Sequence, residues 1–538
     1  MVGGKVGRDG IHGATFSSVA LDEGSPATAV QIGDPITQKK MSDVLVKEIR
    51  PLGLYTAVTD NGAGGLASSV GEMGEASGGF HLELDKVPLK YPGMQPWEIW
   101  ISESQERMSL AVPPENVDTI MTMLNKHGVE AWDIGEFTDT GRAHLSYDGD
   151  TVMDIAMDFL HDGIPETPLK TTFTRGGEAE PDFPESSNHT QTLIDMMGRL
   201  NICSKEFVSA QYDHNVQGSA VLGPVQGAGR VCSEATVSRP VLNSKRAAVL
   251  SQGLAPRYSD IDTHHMARAA LDSAVRHAIA AGGDIDHLAI LDNVCWCSSD
   301  EPERLGQLKR GMEAIYHLSK TYRTPFISGK DSMFNDFKGY DADNNPVTIS
   351  IPPTLLISAV GVLEDVAHAV SLEPKQAGDL VYLLGKTKDE LGASEYYDHL
   401  GYLGNNVPEM HDEPNYKLYR ALSAVNKAQL CASAYAVGFG GVGVALAKKV
   451  IASDGLGIDV ILDDTLRLDK MLYSESQGRI IVTIAPENKE AFETAMASVD
   501  HVQQIGTVTN NPALNINGQV AASTSDLEKA YKTTLGGY

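Results

Sequence analysis

The feature that most constrains this chain is an internal duplication. Residues 102–116 read SESQERMSLAVPPEN, and residues 474–488 read SESQGRIIVTIAPEN, 372 positions later. Two further matches have nearly the same spacing: Gly64-Gly65 with Gly440-Gly441 at 376 positions, and Gly135 with Gly506 at 371 positions. Three co-linear matches at nearly one spacing indicate a repeated domain, so the fold must contain two similar units.

The two copies differ at their beginnings. Copy two opens with the apolar run LVYLL at 380–384, which is followed by Gly385-Lys386. Copy one has the matching Gly4-Lys5, but only three residues precede it. Such an apolar run predicts a buried strand. We therefore expect that an upstream piece of copy one is absent, or that another chain completes its sheet.

Composition excludes several classes of function. The chain has 538 residues and a net charge of −28, from 43 basic and 71 acidic residues. This charge argues against nucleic acid or an anionic membrane as partner, because both need clustered Lys and Arg. Five cysteines in so long a chain indicate a reducing compartment. With no signal-peptide pattern and no apolar stretch of membrane-spanning length, the sequence predicts a cytoplasmic protein with a small-molecule substrate.

The order of elements predicts an α/β (α+β) fold in four segments. Copy one covers residues 1–165, a proline-rich linker 166–187, a middle domain without counterpart 188–366, and copy two 367–538. In copy one, Asp34-Pro35 should begin a helix that runs to about Ile49. Residues 98–101 and 108–112 are predicted strands on either side of the SESQ segment.

The first candidate site is TDNGAGGLASS at 59–69, a strand, a glycine turn and a helix start. Successive backbone N–H groups in such a turn suit a phosphate, and Asp60 just before it could hold Mg²⁺. The alternative is a tight turn that needs glycine only for its geometry. In copy two Ala436 replaces Asp60 and Gly478 replaces Glu106, while the glycines stay. This difference favours copy one as the chemical copy.

Two further polar segments are candidate sites. SESQER at 102–107 combines hydroxyl, carboxylate and amide groups, and Glu103 and Gln105 are predicted to share one strand face. In the middle domain, Asp292 follows the apolar strand LAIL, and SGKDS at 328–332 follows TPFI. Both should lie at carboxyl ends of strands, where α/β proteins bind ligands.

Together these segments resemble the synthetase subunit of phosphoribosylformylglycinamidine synthase, in the aminoimidazole ribotide synthase-like superfamily. The resemblance covers nearly the whole chain, and its most specific pieces are GRDGIHGATFSS (7–18), VQIGDP (30–35), TDNGAGGL (59–66), SESQERM (102–108), YDHNVQG (212–218), LDNVCW (291–296) and SGKDSM (328–333). It implies two halves, each with an A domain and a B domain. This chain would then have the order B–A–B, with the first A domain missing.

The resemblance also implies a reaction and its residues. ATP would activate the amide oxygen of formylglycinamide ribonucleotide, and ammonia derived from glutamine would displace the phosphate to give the amidine. The implied roles are substrate contacts at Gln31, Glu103, Ser104, Gln105 and Ser332, ATP contacts at Asp292, Gly329 and Lys330, and a Mg²⁺ ligand at Asp60. Lys330 stands where many relatives have an asparagine metal ligand, so it would contact phosphate, or Asp331 would take the metal.

Other implications concern the assembly. The family's catalytic histidine lies in the first A domain, whose motifs do not occur here, so we expect no turnover from this chain alone. Ammonia would come from a separate glutaminase subunit with a small bridging subunit. A middle domain without its twin could form a homodimer, with 218–249 as contact strands. Two other hypotheses stay open: another ATP-using enzyme of the superfamily, and a non-catalytic or regulatory protein of the same fold.

Overall fold

The computed structural model describes residues 1–11, 33–463 and 465–538. The elements of copy one are β1 (Val2–Gly3), α1 (Pro35–Val44), β2 (Ala57–Asp60), α2 (Gly65–Ser77), β3 (Phe80–Glu83), α3 (Pro96–Ile101), β4 (Arg107–Ala111), α4 (Val117–Lys126), β5 (Gly135–Phe137), β6 (Arg142–Tyr147), β7 (Asp150–Ala156) and α5 (Met157–Asp162).

The middle region follows after a long stretch without regular structure. Its elements are α6 (His189–Met197), α7 (Glu206–Ser209), β8 (Ala220–Leu222), β9 (Val225–Gln226), β10 (Val231–Cys232), β11 (Ala235–Ser238), β12 (Ala247–Gly253), α8 (Thr263–Ala280), β13 (Leu288–Cys295), α9 (Pro302–Tyr322), β14 (Phe326–Ser332), β15 (Asp336–Tyr340), β16 (Pro346–Ser350) and β17 (Thr354–Leu363).

Copy two closes the chain. Its elements are β18 (Leu380–Leu384), α10 (Glu395–Leu400), α11 (Asp412–Lys427), β19 (Cys431–Ala436), α12 (Gly441–Ala452), β20 (Gly457–Val460), α13 (Leu468–Tyr473), β21 (Ile480–Ile484), α14 (Lys489–Ala495), β22 (Val502–Thr509), β23 (Ala513–Ile516), β24 (Val520–Ser523) and α15 (Thr524–Thr533).

Packing divides the chain into two compact units. Unit 1 contains residues 1–169 and the β15–β16 hairpin at 333–350, and unit 2 contains 170–332 and 351–538. Both units mix helices and sheets, which confirms the predicted fold class. No helix among the described residues is long and apolar enough to cross a membrane.

The sheets of the two copies have the same strand order. In copy two, seven strands form one sheet in the order β19-β21-β18-β22-β20-β23-β24. In copy one, the equivalent strands form two sheets, β1-β4-β2 and β5-β3-β6-β7. The order is conserved, and this confirms the duplication. The copy-one sheet divides beside β1, which has two residues where β18 has five.

The division of that sheet leaves a gap lined by apolar side chains. A cavity of about 600 Å³ lies there, between Leu110 and Val112 on one side and Trp132 and Ile134 on the other. In copy two, β18 pairs with both β21 and β22 over its whole length, so the equivalent space is filled by Val381 and Tyr382. The cavity is therefore a difference in packing between the copies and is remote from the predicted site residues.

The middle domain is built on a six-stranded sheet in the order β14-β13-β17-β12-β11-β8. Alternate residues of β17 are buried, among them Leu355, Ile357 and Ala359. This is expected where only one face of a strand is covered, because successive side chains point to opposite faces. The long helix α8 packs on this buried face and supplies mostly small residues. The opposite face keeps exposed apolar side chains.

Most predicted helices and strands are confirmed. Asp34 caps α1 by accepting hydrogen bonds from the backbone N–H groups of Ile36 and Thr37, and the helical stretch runs through Ile49 as expected. The predicted strand at 98–101 is wrong, because these residues belong to α3. A proline at the first helical turn and a capping box between Gln95 and Glu98 start this helix.

Candidate functional site

The glycine turn of copy one joins β2 to α2. Gly64 precedes the helix in the left-handed conformation, with φ 74°, and Gly65 follows with φ 58°. A Cβ on Gly65 would overlap the carbonyl oxygen of Ser102, so glycine is needed for close approach. Gly440 and Gly441 of copy two have φ 77° and 69°. The turn geometry is therefore shared by both copies.

Carboxylates of the protein itself occupy the N–H groups of this turn. Asp60 Oδ1 accepts a hydrogen bond from the Gly62 N–H at 2.9 Å, and Glu103 Oε1 accepts one from the Gly64 N–H at 2.9 Å. The Gly65 N–H is bonded to the Gly62 carbonyl at 3.0 Å. The N–H groups of Gly62, Gly64 and Gly65 are thus already bonded within the protein, which favours the alternative that the turn needs glycine for its geometry. The donors already have acceptors, and two carboxylates would repel a bare anion.

The segment 102–106 is a loop that follows α3 and leads directly into β4 at Arg107, so it lies at the entrance of a strand but not within it. Glu103 and Gln105 therefore do not share a strand face, contrary to the prediction. Gln105 is exposed, and its Nε2 donates to the Glu103 carbonyl at 3.0 Å. Glu106 has φ 56°, an uncommon conformation that Gly478 adopts in copy two without a Cβ penalty.

Ser104 faces the protein interior. Its hydroxyl accepts a hydrogen bond from the Gly7 N–H at 2.8 Å and donates to Asp9. The side chain is fully buried. A substrate contact through this hydroxyl would require the loop to rearrange, so the predicted role of Ser104 finds no support in its surroundings.

Arg107 organises this loop, and we did not predict its role. Its Nε donates to the Ser104 carbonyl at 2.6 Å and its Nη2 to the Ser102 carbonyl at 2.6 Å. Burial lowers the pKa of Arg107 to about 10, although the guanidinium stays charged at neutral pH. The signal was present in the duplication, because SESQER and SESQGR both keep an arginine at this position.

The same contacts recur in copy two. Glu475 Oε1 accepts from the Gly440 N–H at 2.8 Å. Arg479 donates from Nε to the Ser476 carbonyl at 2.9 Å and from Nη2 to the Ser474 carbonyl at 2.5 Å. The recurrence of the SESQ motif thus follows from a shared structural arrangement.

In copy two this arrangement is closed off by the middle domain. The hydroxyl of Tyr258 donates to Glu475 at 2.6 Å, and Arg276 donates to Gln477 at 3.1 Å. Glu475 is fully buried, which raises its pKa to about 7. Copy one offers an exposed carboxylate at Asp60, whereas copy two has buried Ala436 at that position.

A polar cavity of about 520 Å³ opens beside Gln105 and Glu106 in unit 1. Three lysines lie on its wall: Lys5, Lys40 and Lys90. Thr37 and the backbone of Gly3 and Gly4 complete that side. Three acidic residues, Asp34, Glu106 and Glu130, line the same cavity, so its lining carries as many acidic as basic side chains.

In the middle domain, the structure brings together the residues that were predicted as ATP contacts. β13 and β14 pair in parallel, with Asp292 opposite Gly329 and Asn293 opposite Lys330. A Cβ on Gly329 would overlap Asp292 Oδ1, so this glycine lets the carboxylate lie across the neighbouring strand. Both strands continue to Cys295 and Ser332, so these residues lie within strands and not beyond their ends as predicted.

The polar groups here differ in exposure. Burial and the nearby Asp331 raise the pKa of half-buried Asp292. Gly329 and Lys330 are exposed, and Lys330 Nζ donates to Ser332 Oγ at 2.8 Å and to the Asp331 carbonyl at 2.7 Å. This arrangement presents one cation and one carboxylate on an accessible edge strand.

Asp60 is the metal ligand that the resemblance implies. Mg²⁺ is commonly held by one or two carboxylates together with water and phosphate oxygens, and an exposed aspartate fits that mode. Within 1–11, 33–463 and 465–538 no three or more His, Cys, Asp or Glu side chains are grouped to hold a metal by themselves. Gln31 lies outside the described residues.

Comparison with known proteins places these features in a family. The model described as "AIR synthase related protein, C-terminal domain" matches residues 1–148 and 376–518, which together make up more than half of the chain. These ranges are the two copies found by internal comparison. The middle domain therefore lies between two domains of one kind, as predicted.

Solved structures similar to this chain come from Thermotoga maritima. PurL complexed with FGAR aligns with TM-score 0.64 and 25% identity, over 94% of this chain and 71% of that one. PurL complexed with ATP aligns with TM-score 0.61 and 22% identity, over 94% and 70%. The structure of PurLQS aligns with TM-score 0.60 and 22% identity, over 91% and 70%.

Proposed function

The chain belongs to the AIR synthase related protein family, and from this premise we propose that it is an ATP-dependent synthetase acting on FGAR, formylglycinamide ribonucleotide. The observation that carries the proposal is the alignment with PurL complexed with FGAR over 94% of the chain. The cavity beside Gln105 offers Lys5, Lys40 and Lys90 to the phosphate of a ribonucleotide, although three acidic residues line it too.

The proposed reaction converts an amide to an amidine. The γ-phosphoryl group of ATP passes to the amide oxygen of FGAR, which releases ADP and gives an imidate phosphate. Ammonia then adds to the imidate carbon, and inorganic phosphate leaves with the former amide oxygen. We propose that a glutaminase partner and a small bridging subunit supply the ammonia, in line with the existence of a PurLQS assembly in T. maritima.

The proposed contacts are described for each unit separately. In unit 1, Gln105 would donate and accept hydrogen bonds to the substrate, and Gln31 is proposed for the same role. Asp60 would supply one oxygen ligand to Mg²⁺, which offsets phosphate charge when bound. In unit 2, Asp292 and Gly329 would contact ATP, Lys330 would contact a phosphate, and Ser332 the substrate.

Binding measurements test the proposal before turnover is considered. Isothermal titration of the purified chain with FGAR should show saturable binding, and Mg-ATP should bind separately. Turnover is then measured as amidine formation with glutaminase, bridging subunit and glutamine present. Absence of both FGAR and ATP binding at millimolar concentrations would overturn the proposed function.

A matched pair of lysine variants tests the cavity itself. Lys40→Ala removes a cation from the wall and should lower FGAR affinity about tenfold, the scale of one charge-assisted hydrogen bond. Lys39→Ala is the control, because Lys39 is exposed, pairs with Asp43 at 2.6 Å and does not line the cavity. Equal effects of the two variants would show that the cavity is not the phosphate site.

A further inference from the structure

We propose that His81 and His144, on the outer face of the copy-one sheet, bind a divalent ion of the late transition metals, the class of Zn²⁺ and Cu²⁺. The two histidines lie on β3 and β6, whereas Asp60 ends β2. The site is therefore separate from the Mg²⁺ contact of the proposed reaction and does not depend on FGAR or ATP. The strand register, the ring geometry and the comparison of the two copies each support it.

The strand register places the two imidazoles side by side. β3 and β6 pair in parallel, with His81 directly opposite His144. The neighbouring residues Phe80, Leu82 and Leu145 are buried in the core of copy one. Because successive side chains of a strand point to opposite faces, both histidines lie on the outer face of the sheet. Both are half-buried, so their rings are supported by the sheet and still open to solvent.

The ring geometry suits one shared ion. The ring centroids are 4.5 Å apart and the ring planes are inclined by 56°. His81 Nε2 lies 3.2 Å from Ser146 Oγ, and His144 Nε2 lies 3.1 Å from Thr151 Oγ1. Ser146 and Thr151 face each other across β6 and β7, so both nitrogens point to the same part of the sheet face. A Zn–N bond is about 2.0–2.1 Å long, and small side-chain rotations bring both nitrogens to one ion.

The ligand types select the ion. Imidazole nitrogen suits zinc, copper and nickel, whereas Mg²⁺ prefers carboxylate, carbonyl and water oxygens. Two imidazoles fill two positions of the ion, and water fills the others, since no third ligating side chain is grouped with them among the described residues. Glu136 and Asp154 lie opposite His81 and His144 on the flanking strands. Arg142 offsets the charge of Asp154, so Glu136 provides the negative charge that favours a cation.

Copy two shows that the fold does not need this histidine pair. Leu82 pairs with Gly135, and Val460 pairs with the equivalent Gly506, so the position of His81 corresponds to Asp459. Opposite Asp459 stands Asn515, whose Nδ2 donates to Asp459 Oδ1 at 2.6 Å. An ion between the two imidazoles links β3 to β6 at the place where this hydrogen bond links β20 to β23.

Titration of the purified, chelator-treated chain with Zn²⁺ tests the site. His81→Gln and His144→Gln should each weaken one Zn²⁺ site by at least about tenfold, because even the loss of an outer partner of a metal ligand has that effect. The losses should not add in the double variant, since either substitution destroys the shared site. His399→Gln is the matched control, because His399 is exposed on helix α10, and it should leave Zn²⁺ binding unchanged.

A second double variant keeps the sheet intact while it removes both imidazoles. H81D/H144N reproduces the Asp–Asn pair of copy two, so it should fold with a melting temperature near that of the metal-free wild type. Zn²⁺ should raise the melting temperature of the wild type and not that of this variant, because an ion that binds only the folded state stabilises it. With Cu²⁺, electron paramagnetic resonance should show nitrogen ligands that are lost in the variant.

The proposal is overturned if Zn²⁺ affinity and stoichiometry are the same in the wild type and in H81D/H144N. It is also overturned if millimolar Mg²⁺ displaces Zn²⁺ from the site, because oxygen ligands would then hold the ion. Neither FGAR nor ATP is present in these measurements, so their outcome is independent of the proposed function.

Discussion

At position 60, the two copies of the domain share a backbone turn but differ in one side chain. Asp60 and Ala436 both end a strand that leads into the same glycine turn. The backbone does not need the carboxylate, since copy two forms the turn without it. The carboxylate of copy one is therefore available to a ligand.

This difference gives a prediction for catalysis. In a preparation that turns over, Asp60→Ala should lower kcat by roughly 10²–10³-fold, the scale for removing one group that stabilises developing charge. Ala436→Asp should not raise turnover, and because that position is buried the added carboxylate should lower stability. Turnover is measured across a Mg²⁺ titration, and near-normal kcat for Asp60→Ala would contradict the proposed metal contact.

Glu475 gives a prediction for stability against pH. Burial raises its pKa from 4.5 to about 7, so the folded state holds the proton more tightly than the unfolded state. The stabilising contribution of the protonated form is complete below pH 4.5 and is lost as the pH rises through 7. Above pH 7 the ionised group costs roughly 3 kcal/mol, because each tenfold change in proton affinity corresponds to about 1.4 kcal/mol.

Glu475→Gln mimics the neutral carboxyl group and removes this dependence. At about pH 8, above the raised pKa, the variant should be more stable than wild type, and at about pH 4.5 the two should be nearly equal. Calorimetric melting at both values measures the difference between the two proteins, so other titrating groups cancel. A difference that is the same at both pH values would show that Glu475 is not the titrating group.

At the scale of elements, the sequence predicts those helices and strands that a sufficiently long pattern of apolar residues identifies. Strand β13 was expected nearly where it lies, because the apolar run LAIL identifies it. Short elements, whose start is determined by a local feature such as a helix cap, were not predictable from such patterns. Helix α3 has six residues, which are too few to show helical periodicity, and a capping box determines where it begins.

The candidate site was only partly predictable for a similar reason. Asp60 and the pairing of Asp292 with Gly329 follow from strand order and turn residues. The role of Arg107 was not predicted: SESQER and SESQGR both keep the arginine, but the sequence does not show which carbonyl groups it binds. The sequence also does not show that an N–H group of the glycine turn is already bonded, because Glu103 reaches Gly64 from a loop 39 residues later.

The proline-rich stretch 166–187 has no helix or strand, yet part of it is firmly packed on unit 2. The Phe183 ring is 9% exposed and stacks on Tyr402, with centroids 5.7 Å apart. The guanidinium of Arg467 lies 4.5 Å above the same ring. The segment therefore contributes to the core of unit 2.

Phe183→Ala should consequently destabilise the protein by about 3–5 kcal/mol, the range for removing a buried aromatic ring. Leu169→Ala is the control, because Leu169 is 56% exposed and should change stability by less than about 0.5 kcal/mol. Urea unfolding measures both. Trypsin should also cut at Lys170 and Arg175 faster in Phe183→Ala, and unchanged cutting and stability would show that the segment is only a connection.

At the scale of the whole molecule, the middle domain leaves one face of its sheet without a covering layer among the described residues. Helix α8 buries one face, while the other carries exposed apolar side chains, with Val221 37% exposed, Leu250 49% and Val362 43%. Several exposed apolar side chains on one sheet face are typical of an association surface. The simplest partner that would cover this face is a second copy of the chain, related by a two-fold axis.

We therefore predict a dimer through strands β8, β11, β12 and β17 of the middle domain. The charge of −28 opposes association at low salt, so the dimer should strengthen as ionic strength screens it. Leu250→Glu should abolish the dimer by placing a charge in the apolar face. Tyr316→Glu should leave it intact, since Tyr316 is 57% exposed on helix α9 and does not belong to the sheet. Light scattering across protein and salt concentrations measures the mass, and a monomer under every condition, or a dimer that survives Leu250→Glu, would show that this face does not join two copies.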